Sequence, residues 1–346
     1  MRAMLLERLG DVTAESPPLR LADWPTPSPT AGEILIRVSA CGVCHTELDE
    51  IEGRTPPPRL PAILGHQVVG RVETCGPDAR GFRPGDRVGV AWIFSACGEC
   101  AACRAGNENL CPDFRATGRD APGGYAEYLT VSPAFAYAIP DALTDVEAAP
   151  LLCAGAIGYR SLRLTQLTNG QSLGLTGFGA SAHLVLKMVR HKFPQSRVFV
   201  FSRTDSERQF ALDSGAVWAG DTRSQCPEQL HAIIDTTPAW SPVVAALGQL
   251  APGGRLVVNA IRKEDADKAA LQSLDYPRDL WLEKQIQSVA NVTRKDVAEF
   301  LELAASIPLR PEVQEYSLQA ANQALLDLKE RRIRGAKVLR VAPPGW

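Results

Sequence analysis

Four cysteines stand close together in this chain, at Cys97, Cys100, Cys103 and Cys111. Thiolates at such short spacing can surround one tetrahedral Zn²⁺ completely. A closed set of four leaves no position for a substrate, so the reading is a structural metal. The segment around them is polar and rich in small residues, and it could not fold around an apolar core of its own. Metal binding would supply the missing folding energy. An iron–sulfur cluster and fortuitous clustering are the alternatives.

Other residues offer chemistry only in combination. Cys44 lies in Cys41-Gly42-Val43-Cys44-His45-Thr46-Glu47-Leu48, His66 in Leu64-Gly65-His66-Gln67 and Cys153 in Ala149-Pro150-Leu151-Leu152-Cys153. Each is weak alone, because a lone cysteine on an apolar segment is usually a small buried hydrophobe. The run Leu175-Thr176-Gly177-Phe178-Gly179-Ala180-Ser181-Ala182 reads G-x-G-x-x-A. Between a strand and a helix, that pattern lets a dinucleotide pyrophosphate approach the backbone, with the helix N-terminus favouring its charge. Standing alone it is an ordinary glycine-rich turn.

These residues need elements to hold them. A chain of 346 residues is too long for one ordinary core and suggests two domains. The first part reads as short strands broken by Pro and Gly: Glu33 to Val38, Val68 to Val72 and Asp86 to Val90. That pattern predicts an all-β, barrel-like domain. After about Ala154 the pattern alternates. Strands are expected at Ser172 to Thr176, Arg197 to Phe201, His231 to Asp235 and Gly254 to Asn259. Helices are expected at Ala180 to His191 and Asp205 to Ser214. Alternation of this kind implies a parallel sheet with crossover connections. A helix over Leu318 to Arg331 and a strand over Ala336 to Val341 close the chain.

Taken in order, these segments resemble the zinc-dependent medium-chain alcohol dehydrogenases over nearly the whole chain. Cys44-His45-Thr46-Glu47-Leu48 is similar to the family's Cys-His-Thr-Asp-Leu. The resemblance implies a GroES-like β-barrel catalytic domain over 1–153 and 292–346, with a structural zinc lobe near 95–113. It implies a Rossmann doubly wound parallel-sheet domain over 154–291. It implies two zinc ions per chain, one structural and one catalytic, the latter on Cys44, His66 and Cys153. Two thiolates and one imidazole leave the open position that catalysis needs. Thr46 matches the hydroxyl that accepts the alcohol proton, and Glu47 the carboxylate that orients the ligand histidine. His45 matches a residue that touches the cofactor pyrophosphate.

Three positions depart from the family. Asp49 stands where the proton relay ends on a histidine, so the relay ends on Asp49 or on water. Gln67 replaces the usual Glu, which makes the site less anionic. Glu47 is one methylene longer than the usual Asp.

The cofactor turn assigns Gly177, Gly179 and Ala182 to the pyrophosphate. The second strand ends in Ser202-Arg203-Thr204, with Ser202 at the position where an NAD enzyme usually places an acid. A small hydroxyl followed by Arg203, with no carboxylate to repel it, favours NADP(H). NAD(H) is the alternative, with Arg203 in solvent and Asp205 on the ribose. Trp92 and Thr55 match positions that shape the substrate pocket, the bulk of Trp92 favouring primary alcohols. Core packing is the other reading of Trp92.

The expected activity is therefore hydride transfer between a nicotinamide cofactor and an alcohol or aldehyde. A zinc-free quinone reductase of the same fold and a non-catalytic zinc-stabilised binding protein are the competing readings. The net charge of −2 gives no basis for a nucleic-acid or anionic-membrane partner. No apolar run approaches a bilayer span, and the N-terminus lacks a signal-like stretch, so a cytoplasmic location is expected. A homo-oligomer, tetramer or dimer, is expected from the resemblance alone.

Overall fold

A computed structural model of the chain describes residues 1–307, 309–330 and 335–342. The chain divides into two compact units, Met1–Cys153 with Val292–Trp346, and Ala154–Asn291. Among the described residues, no helix is long and apolar enough to cross a membrane.

The first unit is built on a seven-stranded sheet around the strand Ile34–Val43. Its sequence, ILIRVSACGV, is buried at almost every position, as expected for a strand with neighbours on both edges. It pairs antiparallel with Val68–Cys75, with Tyr128–Val131 and with Ala336–Arg340. The strand runs past the expected end at Val38 because distant segments complete its ladder. Val43 sits opposite Lys337, and Cys41 opposite Leu339. A smaller sheet of Leu19–Asp23, Arg2–Leu6 and Ala62–Ile63 packs into the same core. Met4, Leu5, Ile36, Ile51 and Leu129 fill that core at 2% exposure or less. These β-rich layers agree with the barrel-like domain expected of the first part of the chain.

The second unit holds a six-stranded, all-parallel sheet. In chain order its strands are Ser172–Thr176, Arg197–Phe201, Trp218–Gly220, Leu230–Asp235, Leu250–Val258 and Gln285–Ser288. Their spatial order is 3-2-1-4-5-6, the doubly wound arrangement of dinucleotide-binding domains. The helices Ala180–Lys192 and Asp205–Asp213 are the crossovers joining the first three strands. The first strand has no exposed residue, as a central parallel strand requires.

Element ends differ from expectation by a few residues. The fifth strand begins at Leu250 rather than Gly254, with a register shift opposite Leu230 and Ala232. The expected Leu318 to Arg331 helix is a 3₁₀ turn, Leu318–Ala320, followed by an α-helix, Ala321–Lys329. Arg331 lies outside the described residues.

Candidate metal centre and cofactor turn

Cys44 follows the end of the central strand and caps the helix His45–Ile51. Its backbone N–H donates to the Glu47 carboxylate at 2.8 Å, so the turn that presents the thiol is fixed by its own acid. His66 follows Gly65, whose φ is +97°. A Cβ at Gly65 would lie 2.4 Å from the Tyr125 ring and 2.8 Å from Cys41 Sγ, so only glycine lets this loop approach so closely. Cys153 sits in a π-helical turn, Leu151–Gly155, directly after the helix Asp145–Pro150. These segments, far apart in sequence, bring one donor atom each from Cys44, His66 and Cys153 within 4.8 Å of one another. The two Sγ atoms are 4.0 Å apart.

The imidazole is held in one orientation. His66 Nδ1 and Glu47 Oε1 are 2.6 Å apart, with both residues almost fully buried. Because a carboxylate only accepts, Nδ1 carries the proton and Nε2 presents a lone pair. Nε2 is buried and, among the described residues, has no hydrogen-bond partner. An unpaired buried acceptor is costly. Together with the two thiols it forms a donor set that could hold a metal ion. The hydrogen bond from Cys153 drives the Cys44 thiol well below its usual range, against burial, with His66 adding to the effect.

Around this cluster lie the other expected residues. Thr46 is buried, its hydroxyl 3.6 Å from Cys44 Sγ. Trp92 is buried beside His66, with ring centroids 5.1 Å apart and the indole N–H unpartnered. Thr55 is half-buried with a hydroxyl that lacks a partner, and its N–H donates to the Asp49 carbonyl. His45 is exposed on the first turn of the helix. Asp49 is buried, and its carboxylate accepts from Arg54 Nε at 2.5 Å. The carboxylate expected as a relay terminus is thus engaged by a guanidinium. Gln67 is buried, and its side-chain oxygen lies across the bare face of Gly42.

The four clustered cysteines converge as their spacing predicts. Their Sγ atoms lie within 4.8 Å of one another, and Cys97 Sγ is 3.5 Å from Cys111 Sγ. The backbone amides of Glu99 and then Cys100 lower the Cys97 thiol to about 7. Glu108 of this lobe accepts from the backbone N–H and Nε of Arg294, at 2.9 and 3.0 Å, which ties the lobe to the C-terminal part of the same unit.

In the second unit, Gly177 has φ +77°, and its N–H donates to Phe201 at 2.8 Å. A Cβ on Gly177 would meet the Thr236 hydroxyl at 2.8 Å, whereas one on Gly179 would meet nothing within 4 Å. Gly179 caps the helix Ala180–Lys192 without a side chain, so the first amides have no side-chain acceptor. An open turn before an uncapped helix N-terminus fits a dinucleotide pyrophosphate. Ala182 is fully buried against the sheet.

Residues 30–141 match the model of the alcohol dehydrogenase GroES-like domain. The chain is 42% identical to a probable alcohol dehydrogenase, AdhA, of Mycobacterium tuberculosis, over 99% of this chain and 97% of that one. The chain belongs to the medium-chain alcohol dehydrogenase family. It is 32% identical to an alcohol dehydrogenase of Geobacillus stearothermophilus, over 93% of this chain and 96% of the other. Its fold matches a cobalt- and zinc-bound thermostable alcohol dehydrogenase from Pyrobaculum aerophilum, with a TM-score of 0.85 and 24% identity over 99% of both chains.

The end of the second strand of this alcohol dehydrogenase differs from expectation. The seat was expected to be free of carboxylates, yet Ser202 Oγ donates to the Glu207 carboxylate. The acid comes from the helix Asp205–Asp213 rather than from the strand, so counting along the strand missed it. Arg203 is exposed and has no ion pair among the described residues, while Asp205 is exposed and paired with Arg208.

Two further groups escaped the sequence reading. Glu50 is buried, and among the described residues neither of its carboxylate oxygens has a hydrogen-bond partner. Its position three residues after Glu47 was the only signal, because acids face solvent by default. Asp235, fully buried at the end of the fourth strand, accepts from Thr176 and Lys263. Nothing in the local pattern pairs residues so far apart.

Proposed function

We propose that this alcohol dehydrogenase is zinc-dependent and transfers hydride between NADP(H) and a primary alcohol or its aldehyde. The observation that carries the zinc reading is the buried, unpartnered His66 Nε2 facing the Cys44 and Cys153 thiols. Those three residues would hold the ion, and Cys97, Cys100, Cys103 and Cys111 a second, structural one. A zinc ion held by the first set supplies Lewis-acid polarisation of the substrate oxygen. The Gly177–Gly179 turn would hold the pyrophosphate of a nicotinamide dinucleotide, and that cofactor would supply the hydride chemistry.

The chain's own residues do the rest. Glu47 fixes the tautomer and plane of His66. Thr46, buried beside Cys44, takes the proton from the alcohol oxygen through its hydroxyl, which can accept and donate at once. Its next proton acceptor is water, because Asp49 is held by Arg54. Trp92 forms a rigid apolar wall beside His66, which supports a preference for unbranched substrates. The unpaired Arg203 guanidinium supports NADP(H), with NAD(H) as the competing cofactor.

The test is aldehyde reduction followed at 340 nm with a simple aromatic aldehyde, comparing kcat/KM for NADPH and NADH on protein of known zinc content. A ratio well above one supports the NADP(H) reading. A ratio below one overturns it and leaves the dehydrogenase reading in place. Full turnover in zinc-free protein would overturn the metal assignment.

A further inference from the structure

The adenosine-ribose end of a doubly wound sheet lies at the tip of its second strand, where an acid usually accepts the ribose hydroxyls. Here that tip is Ser202, which is buried and carries no charge. A carboxylate nevertheless occupies the place. Glu207, in the first turn of the helix Asp205–Asp213, accepts the Ser202 hydroxyl proton.

The helix is held so that this face looks toward the cofactor turn. Phe178, between the two glycines, packs edge-on against Phe210 with centroids 5.4 Å apart, and His183 packs on the same ring at 5.8 Å. Glu207 and Phe210 are three residues apart and so share a helix face. Thr204 fixes the helix start by accepting from the Glu207 N–H at 3.3 Å. Arg208 Nη1 donates to the Ser202 carbonyl at 2.7 Å, and Arg208 also pairs with Asp205. Arg208 is thereby occupied, and the exposed Arg203, next to Ser202 in the chain, has no ion pair among the described residues.

We propose that Glu207 is the residue that sets cofactor specificity, acting as the ribose-hydroxyl acceptor and opposing a 2′-phosphate that Arg203 attracts. The proposal rests on the reading of this turn as a nicotinamide-dinucleotide site. It makes specificity a balance between one carboxylate and one guanidinium. It predicts that both NADH and NADPH bind to the native protein.

The test is direct binding of NADH and NADPH to zinc-replete protein by isothermal titration, with E207Q and R203A beside the native chain. The Glu207→Gln change keeps the shape and a hydrogen bond to Ser202 but removes the charge. The expected result is a shift of about tenfold in the ratio of the two dissociation constants toward NADPH, with NADH binding weakened. The shift should shrink as salt is raised, since a repulsion is being removed. Equal changes for both cofactors, or no change, would overturn the proposal and mark Glu207 as a helix-end residue only. R203A tests the NADP(H) reading separately. If R203A leaves NADPH binding intact, the 2′-phosphate seat fails, and Glu207 is then judged by the loss of NADH affinity in E207Q alone.

Discussion

Glu47 and His66 are joined by a 2.6 Å hydrogen bond in which both partners are buried, and this bond fixes which imidazole nitrogen is free. Glu47 also accepts from the Cys44 backbone, so one carboxylate orients two of the three donors. Replacing Glu47 with Gln keeps its shape but weakens both interactions. Zinc affinity at this centre should fall by about 10- to 100-fold, measured by competition with a chromogenic chelator. Unchanged affinity would show that the bond orients nothing of consequence.

The two cysteine sets should lose metal independently. Cys153→Ala should reduce the zinc content from two equivalents to one, with the melting temperature nearly kept. Its kcat/KM should drop roughly a thousandfold, about 4 kcal/mol of transition-state stabilisation. Cys97→Ser should instead destabilise the lobe held by Cys100, Cys103 and Cys111, because little apolar core stands behind it. A C153A protein that retains two zinc ions and full turnover would contradict the assignment.

Thr46 offers a cleaner test of proton transfer than Asp49. Thr46→Ala should lower kcat by about 100-fold or more, and Thr46→Ser should restore most of it, since only the hydroxyl is asked to act. Asp49→Asn, which weakens the Arg54 pair, should cost stability more than it alters the pH profile of kcat. A pH profile moved by D49N and unmoved by T46A would reverse the two roles.

Glu50 should show itself through pH. Burial, with the neighbouring Glu47 charge adding to it, pushes its carboxyl well above the usual carboxylate range. A raised pKa means the folded state binds a proton the unfolded chain has released. The associated stability is complete below the unfolded value near about 4.3 and is lost as pH rises through the folded value. Glu50→Gln removes that loss. The melting temperature of E50Q minus that of the native protein should therefore grow as pH rises above about 4.3, reaching a few degrees. A flat difference would show that folding does not raise the Glu50 pKa.

Much of this protein was readable from local pattern. Cys97, Cys100, Cys103 and Cys111 were legible as a candidate metal site from their spacing, and the fold brings their thiols together. The strand Ser172–Thr176 and the turn Gly177–Gly179 declare a dinucleotide fold because burial and positive φ are written into single residues. What the sequence could not determine are relations between distant segments. The central strand reaches Val43 only because the C-terminal strand completes its edge. His66 Nε2 is free only because Glu47 reaches Nδ1 across 19 residues. Ser202 meets a carboxylate only because a helix folds Glu207 back over the strand end. Spacing determines the donor set within one turn of chain; tertiary packing decides which polar groups are left buried without a partner.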